Sequence, residues 1–274
     1  MSPTAGNPHR AGTNLRYAID VAALPPRVRE RVVELTRDAG TEAFLAEAAR
    51  ERHGALRTAL HRFLRQFMSD FDVNGFLDMY SLFLLSREHW ITLLGDERVP
   101  RLLDVGAGSG KVTAELLPLV DHAVATELSS RMAQRLRKRG IACHEIDLAE
   151  GGLEGEQFEL ITCLNVLDRT ARPKKLLRRL KELLAPGGKL VLALALPYRP
   201  FYYQGADTPD PLEPLGCTDE KFERAVLQLI ELELEPIGFD LQSFSRAPYL
   251  SFGDTKRDLY RLDDAILVLS PATA

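Results

Sequence analysis

The stretch LLDVGAGSGK, residues 102–111, decides the fold of this chain. Leucines lead into Asp104, and glycines follow at alternate positions as Gly106, Gly108 and Gly110. Such a run predicts a buried strand that ends in a tight βα turn, where glycine permits positive φ angles and lets a ligand approach the backbone. In an open α/β sheet this turn lies at the carboxyl ends of the strands, where ligands bind. We therefore expect a ligand site on the turn.

Apolar runs alternate with helical patterns on the C-terminal side of the turn. Seven strands are predicted, at residues 101–106, 123–127, 141–146, 158–164, 189–196, 239–245 and 265–269. Helices are predicted between them at residues 111–117, 130–139, 173–184 and 219–237. This alternation indicates βαβ units and a mostly parallel α/β sheet. No helix separates the last two strands, so the final strand can insert antiparallel.

The N-terminal third of the chain carries helical patterns without recognisable chemistry. These patterns lie at residues 25–35, 41–54, 56–67 and 76–94. A length of 274 residues suits one enzyme-sized core with an appendage. We expect residues 1–22 to be a flexible N-terminus, residues 23–95 to form a helical region, and residues 96–274 to form the ligand-binding domain.

Composition and charge argue against several classes of protein. The formal net charge of −4 lacks the basic excess of a nucleic-acid binder. Three scattered cysteines and six histidines without a zinc-binding spacing predict neither a disulfide framework nor a metal site. The longest apolar run, residues 190–196, is far shorter than the ~18 residues that span a bilayer, and the N-terminus has no apolar signal segment. We expect a soluble cytoplasmic protein without a membrane span.

Acidic residues at the ends of successive predicted strands indicate the chemistry of the ligand. The spacing G-x-G-x-G differs from the G-x-G-x-x-G of dinucleotide-binding folds, and Asp104 suits a cationic or amine-bearing ligand better than a diphosphate. Glu127 is positioned to accept both ribose hydroxyls, and Asp147 to contact an adenine amine. S-adenosyl-L-methionine has a sulfonium, an ammonium and a ribose but no phosphate, so the pattern favours it over NAD. The alternative, a structural turn with solvent-facing acids, explains three such acids less well.

Asn165 and Asp168 follow the fourth predicted strand directly, in the stretch FELITCLNVLDR, residues 158–169. In this fold that position faces the transferable methyl group, so polar groups there select the nucleophile. An amide can both donate and accept, whereas a carboxylate only accepts. On spacing alone, Asn165 could equally cap a loop and Asp168 could equally pair with Arg169.

Six stretches occur in a fixed order within residues 60–270: LLDVGAGSGKVT, ATELS, CLNVLDR, LALALPYRP, RAPYLSFGD and YRLDDAILVL. Together they resemble the methyltransferase-like protein 9 (DREV) family. The resemblance implies a Rossmann-like class I S-adenosylmethionine-dependent methyltransferase with a seven-stranded, mostly parallel sheet and an N-terminal helical extension. It also implies protein-L-histidine N-pros-methyltransferase activity on His-x-His motifs of protein or peptide substrates.

The resemblance further implies roles for single residues. The cofactor contacts would be Asp104, Gly106 and Glu127, beside Gly108, Gly110 and Asp147 of the same pattern. The groups around the target imidazole would be Asn165, Asp168 and Tyr260, although Tyr260 by itself suggests a core or rim tyrosine. The peptide groove would be lined by Tyr198, Tyr249 and Arg169, and amphipathic packing explains both tyrosines equally well.

Two other functions remain open on the sequence. The glycine turn selects the cofactor and not the methyl acceptor, so a small-molecule methyltransferase on the same fold is one alternative. A non-catalytic binding protein that keeps the fold is the other, and the intact turn with Glu127 argues against it.

Overall fold

The computed structural model describes residues 15–50, 81–204, 207–252 and 259–272 of the chain. Eight strands in these ranges form a single sheet: β1 (Leu82–Phe83), β2 (Val99–Val105), β3 (Val120–Thr126), β4 (Ala142–His144), β5 (Phe158–Leu164), β6 (Leu184–Leu196), β7 (Phe239–Phe252) and β8 (Leu259–Pro271). Their order across the sheet is β1-β7-β8-β6-β5-β2-β3-β4. The strands from β4 to β6 in this order run parallel, whereas β8 lies antiparallel between β6 and β7. The predicted antiparallel insertion of the last strand is therefore confirmed.

Helices occupy most of the connections between the strands. They are α1 (Pro26–Arg29), α2 (Ala39–Arg50), α3 (Arg87–Leu94), α4 (Lys111–Ala114), α5 (Ser130–Lys138), α6 (Pro173–Glu182), α7 (Phe222–Leu229) and α8 (Glu235–Ile237). A π-helical segment, Ile230–Leu234, joins α7 to α8. Pro173 occupies the first position of α6, and the Ser129 side chain accepts a hydrogen bond from Met132 N at the start of α5, which are both favoured helix starts.

The hydrophobic core lies on both faces of the sheet. Leu102 and Val191 belong to one buried cluster, whereas their neighbours Leu103 and Leu192 belong to another. Successive side chains of a strand point to opposite faces, so both faces of the central strands are covered. Strands that are buried on both faces are apolar throughout, which explains the uninterrupted run at residues 190–196.

The prediction of one helix over residues 76–94 is wrong where the structure describes this range. It contains the two-residue strand β1 and then α3, which starts after Ser86, whose side chain accepts a hydrogen bond from His89 N. β1 pairs antiparallel with the outer edge of β7, so the sheet has eight strands rather than the predicted seven. A short apolar run cannot be assigned to a strand or a helix by periodicity alone, and here the sheet edge decides.

The predicted helix over residues 25–35 is wrong beyond its first turn. α1 ends at Arg29, and Val33 then donates its backbone N–H to Phe244 O of β7 at 2.8 Å. Phe244 in turn donates its own N–H to Arg31 O at 2.8 Å. The outer edge of β7 offers backbone groups that need partners, and their pairing outweighs the helical pattern.

Residues that precede this edge contact pack onto the sheet. Leu24 and Val28 are each 2% exposed and belong to the same core cluster as Leu103. The predicted helix over residues 41–54 corresponds to α2 as far as Arg50, and the pattern at residues 56–67 lies outside the described residues. No helix in the described ranges is both long and apolar enough to cross a bilayer.

Candidate functional site

The glycine turn connects the carboxyl end of β2 to α4. Its three glycines all have positive φ angles, 65° at Gly106, 56° at Gly108 and 75° at Gly110. A Cβ at Gly106 would lie 2.7 Å from Val166 Cγ2, and one at Gly110 would lie 2.8 Å from Leu136 Cδ2. These two glycines are required for packing. No described atom lies within 4 Å of a Cβ built at Gly108, so this glycine faces open space where a ligand can approach.

Asp104 lies in β2, two residues before the first glycine of the turn, and its side chain is buried. It is 4% exposed, and its carboxylate accepts hydrogen bonds from Thr162 Oγ1 at 2.8 Å and from the Thr113 hydroxyl. Burial raises the pKa of Asp104 to about 6, the two threonine hydroxyls oppose this rise, and the negative charge of Glu127 adds to it. Asp104 therefore ties β2 to β5 and α4, and a direct contact between Asp104 and a cofactor remains a prediction.

Glu127 follows β3 and holds the glycine turn from the neighbouring strand. Its Oε2 accepts a hydrogen bond from Gly108 N at 2.9 Å, and its Oε1 accepts one from Ser129 N at 2.9 Å. Asp147 lies further along the same edge, three residues after the last residue of β4. Its side chain is exposed and accepts a hydrogen bond from Ala149 N at 3.0 Å. The predicted alignment of acids at the carboxyl ends of adjacent parallel strands is thus present for Glu127 and Asp147.

A second group of polar side chains lies beyond β5. Asn165, the first residue after the strand, has a φ of 56°, a left-handed conformation that asparagine tolerates better than most residues. Its Nδ2 donates to Asp264 Oδ2 at 2.6 Å, and its backbone N–H donates to Ala193 O at 3.0 Å. Asp264 lies on β8 with no exposed surface. The sequence analysis missed Asp264, although the acidic pair in LDDAILVL interrupts an apolar strand and could have indicated it.

Asp168 completes this group. It is 3% exposed, its Oδ2 forms an ion pair with Arg169 Nη1 at 2.6 Å, and the guanidinium of Arg169 lies 4.0 Å from the centre of the Phe201 ring. Burial raises the pKa of Asp168, and the positive charge of Arg169 opposes this rise. Burial raises the pKa of Asp264 well above its ordinary value, and the negative charges of Asp168 and Asp263 raise it further. The hydrogen bond from Asn165 lowers this pKa in part.

Asn165, Asp168 and Asp264 together form what we call the acceptor cluster. In each of them one oxygen, Oδ1, is buried and has no hydrogen-bond partner among the residues that the structure describes. The negative charge of Asp168 also raises the pKa of the buried Asp264 carboxyl. The cluster is therefore rich in acceptors and poor in donors, which suits a ligand that brings N–H groups or a positive charge.

The three tyrosines singled out from the sequence occupy different places. Tyr249 is half-buried on β7, two residues from Ala247, which faces Asp264 in the register of the sheet. Burial raises the pKa of Tyr249, and the negative charges of Asp264 and Asp168 add to this rise. Tyr198 is buried in the core, where its hydroxyl donates to Leu167 O at 3.4 Å. Tyr260 is half-buried on β8 in register with Ser251 of β7. The structure thus brings Asn165, Asp168, Arg169 and Tyr249 together, and their contacts with a substrate remain predictions.

The residues along this edge fit S-adenosyl-L-methionine. Gly108 leaves open space beside the turn, and the Glu127 carboxylate lies next to it as an acceptor for hydroxyl or ammonium donors. The acceptor cluster lies past the neighbouring strand β5, where an attacking group would enter. A carboxylate-rich edge suits a cationic cofactor that has no phosphate groups better than a dinucleotide.

Comparison with known sequences finds relatives among methyltransferases. The ubiquinone biosynthesis O-methyltransferase of Xanthomonas oryzae pv. oryzae (strain PXO99A) is 30% identical over 100 residues, which cover 34% of this chain and 42% of that protein. The mitochondrial ubiquinone biosynthesis O-methyltransferase of Schizosaccharomyces pombe is 27% identical over 101 residues, which cover 34% and 37%. The match spans less than half the length of these curated relatives.

Solved structures with a similar arrangement include two methyltransferases. The N-methyltransferase NodS from Bradyrhizobium japonicum, in complex with S-adenosyl-L-homocysteine, is 16% identical with a TM-score of 0.44, and the similarity covers 64% of this chain and 80% of that one. A TehB-like SAM-dependent methyltransferase from Corynebacterium glutamicum is 14% identical with a TM-score of 0.45, covering 68% and 88%.

The family match covers nearly the whole chain. A sequence profile of the DREV methyltransferases matches residues 16–271, a range that contains the glycine turn, Glu127 and the acceptor cluster. The fold is that of the Rossmann-like class I methyltransferases, and S-adenosyl-L-methionine is the cofactor. This chain belongs to the DREV methyltransferase family.

Proposed function

We propose that this chain is a protein-L-histidine N-pros-methyltransferase, which transfers a methyl group from S-adenosyl-L-methionine to the pros nitrogen of histidine in His-x-His motifs of protein substrates. The observation that supports this most strongly is the buried and unpaired Oδ1 of Asp168 just beyond β5. An acceptor buried without a partner is costly, and an N–H of the substrate would satisfy it. Neutral imidazole carries one ring N–H and one lone pair, so it supplies both the donor and the nucleophile.

Asp168 selects the nitrogen that reacts. When its Oδ1 accepts the tele N–H, the ring is held in the tautomer whose pros nitrogen carries the lone pair. Histidine has an unperturbed pKa of ~6.5, so much of it is already neutral near pH 7. S-adenosyl-L-methionine, when bound, supplies a methyl group on a positively charged sulfur. The chain itself supplies alignment, because the reacting atoms must be held ~3–3.5 Å apart.

The acceptor cluster also stabilises the charge that develops on the substrate. Methylation of a neutral imidazole leaves a positive charge on the ring until the tele proton is released. Arg169 occupies Oδ2 of Asp168, so Oδ1 is left for the ring N–H. Acceptors that are already fixed in a water-poor pocket stabilise such a charge more effectively than water does.

The same cluster argues against a phenol as the methyl acceptor. A phenol must lose its proton before it attacks, and the resulting anion would be destabilised by the like charge of the Asp168 carboxylate. A small-molecule O-methyltransferase is nevertheless the second candidate, because the relatives with matching sequence are ubiquinone biosynthesis O-methyltransferases.

Direct methylation of peptides tests this function. The protein is incubated with S-adenosyl-L-methionine and a peptide of Ala-His-Ala-His type, with a matched peptide in which one histidine is replaced by glutamine, and with a catechol. We expect the gain of one methyl group on a histidine, located by fragmentation mass spectrometry and assigned to the pros nitrogen against authentic methylhistidine standards. Methylation of the catechol alone would overturn the proposal in favour of the second candidate, and tele-methylhistidine would overturn the role of Asp168.

A further inference from the structure

We propose that Asp264 is a positioning residue of the methyl-acceptor pocket, which fixes the side-chain amide of Asn165 so that its carbonyl oxygen faces the substrate. The inference rests on the proposed function, because it concerns the same pocket and an N–H-bearing substrate. The inference adds Asp264, a residue of β8, to the pocket; β8 is the strand inserted between β6 and β7. The sequence analysis had placed other residues there: those that follow β5, and the tyrosines Tyr198, Tyr249 and Tyr260.

The surroundings of Asp264 are unusual for a carboxyl group. It faces Ala195 of β6 and Ala247 of β7 in the register of the sheet, and the next residues of β8, Ala265 and Ile266, have no exposed surface. A carboxyl group buried among apolar neighbours is costly unless hydrogen bonds compensate for the lost water. Among the residues that the structure describes, one side chain donates to Asp264: Asn165, through its Nδ2 at 2.6 Å.

That hydrogen bond determines which end of the Asn165 amide faces the pocket. The two ends of an asparagine amide have nearly the same shape, and the partner decides which of them points where. Asp264 Oδ2 is an acceptor, so the NH₂ group of Asn165 turns toward it. Asn165 Oδ1 is then buried without a partner among the described residues. Without Asp264, the amide could rotate and present a donor in place of this acceptor.

The backbone of Asn165 is fixed as well, so the side chain has few other ways to move. Its φ of 56° is left-handed, and its N–H donates to Ala193 O at 3.0 Å. The two fixed Oδ1 atoms of Asn165 and Asp168 therefore require two donors from the substrate. A neutral imidazole supplies one of these donors through its ring N–H.

Removal of the acceptor at position 264 tests the inference. In Asp264→Leu the side-chain amide of Asn165 loses its hydrogen-bond partner. We expect kcat on the peptide to fall by about tenfold, which corresponds to the loss of one correctly directed hydrogen bond, whereas cofactor affinity should be unchanged. Asp264→Asn keeps an acceptor oxygen and is expected to retain kcat within about threefold. In the Asn165→Ala background, Asp264→Leu is expected to add no further loss. Equal losses from Asp264→Leu in the two backgrounds, or failure of Asp264→Asn to retain kcat, would overturn the inference.

A second readout does not depend on histidine methylation. The chain has four asparagines, Asn7, Asn14, Asn74 and Asn165, so selective ¹⁵N-asparagine labelling gives four side-chain amide signals, of which Asn165→Ala identifies one. We expect the amide hydrogens of this signal to be protected from exchange with solvent in the wild type and in Asp264→Asn. We expect no such protection in Asp264→Leu; if Asp264→Leu does not fold, Asp264→Ala takes its place. An unchanged signal refutes the role of Asp264 alone. A wild type that shows the protected signal but leaves histidine peptides unmodified refutes the proposed function alone.

Discussion

Replacement of Asp168 by asparagine is the most direct perturbation of the proposed chemistry. Asp168→Asn keeps the size of the side chain but removes its negative charge and one of its two acceptor oxygens. The change breaks a 2.6 Å ion pair with Arg169 in which the carboxyl side chain is 4% exposed and the guanidinium 25%. Arg169 keeps a 2.8 Å hydrogen bond to Asp168 O and the face of the Phe201 ring.

The size of both effects follows from these contacts. A hydrogen bond to a charged group contributes about 1.5–3 kcal/mol, which corresponds to a loss of about 10- to 150-fold in kcat if Asp168 stabilises the charged ring. Loss of one partner of a fully buried ion pair costs about 3–5 kcal/mol, and exposed pairs contribute about 1 kcal/mol or less. Because Arg169 is partly exposed and keeps other partners, we expect about 2 kcal/mol of lost stability.

The assay compares Asp168→Asn with a matched control. Asp121→Asn removes the same charge and a 2.6 Å ion pair to Arg98 at the start of β3, where both side chains are about half exposed. The control should keep wild-type kcat and lose less than about 1 kcal/mol of stability. Cofactor affinity, measured by calorimetry, should be unchanged in both variants. Wild-type turnover in a folded Asp168→Asn protein would refute the assignment of Asp168 to the reacting ring.

Three further predictions follow from other contacts. Because burial raises the pKa of Asp104 from 3.8 to about 6, Asp104 holds a proton in the folded state that it loses in the unfolded state between these two pH values. The contribution of Asp104 to the free energy of unfolding should therefore be fully present below about pH 4 and fall by about 3 kcal/mol as pH rises through 6, and denaturant titrations should show this part of the pH dependence lost in Asp104→Asn. Gly108→Ala and Gly140→Ala both place a Cβ at a positive φ angle with no described neighbour within 4 Å, so each should lower the free energy of unfolding by about 1–2 kcal/mol in thermal melts. Only Gly108→Ala should weaken cofactor binding, measured by calorimetry. Val28→Ala should cost about 2 kcal/mol in denaturant titrations, because Val28 lies in the core cluster of the sheet, and a surface-like cost near zero would refute that placement.

Features that depend on local sequence were predictable. The glycine turn, the alternation of strands and helices and the last antiparallel strand all follow from patterns within short windows, and all are confirmed in the structure. Asn165 could be placed directly after its strand for the same reason. Glu127 and Asp147 could be placed on one edge because parallel strands end on the same side of a sheet.

Features that depend on distant partners were not predictable. Asp264 lies 99 positions from Asn165, and no spacing rule relates residues so far apart in the chain. The segments around Val33 and Phe83 adopt extended conformations because they meet the edge of β7, whereas their local patterns suggest helices. In both cases a tertiary hydrogen bond outweighs local preference.

The pairing of the N-terminal segment with β7 affects how copies of this protein behave toward one another. A long outer strand with free backbone groups is a template for association between molecules, and proteins protect such edges. The 14-residue strand β7 is covered by Val33 near its middle and by β1 near its end. A chain shortened to begin after Val33 would therefore present an uncovered strand edge and should aggregate at concentrations where the full chain stays dispersed.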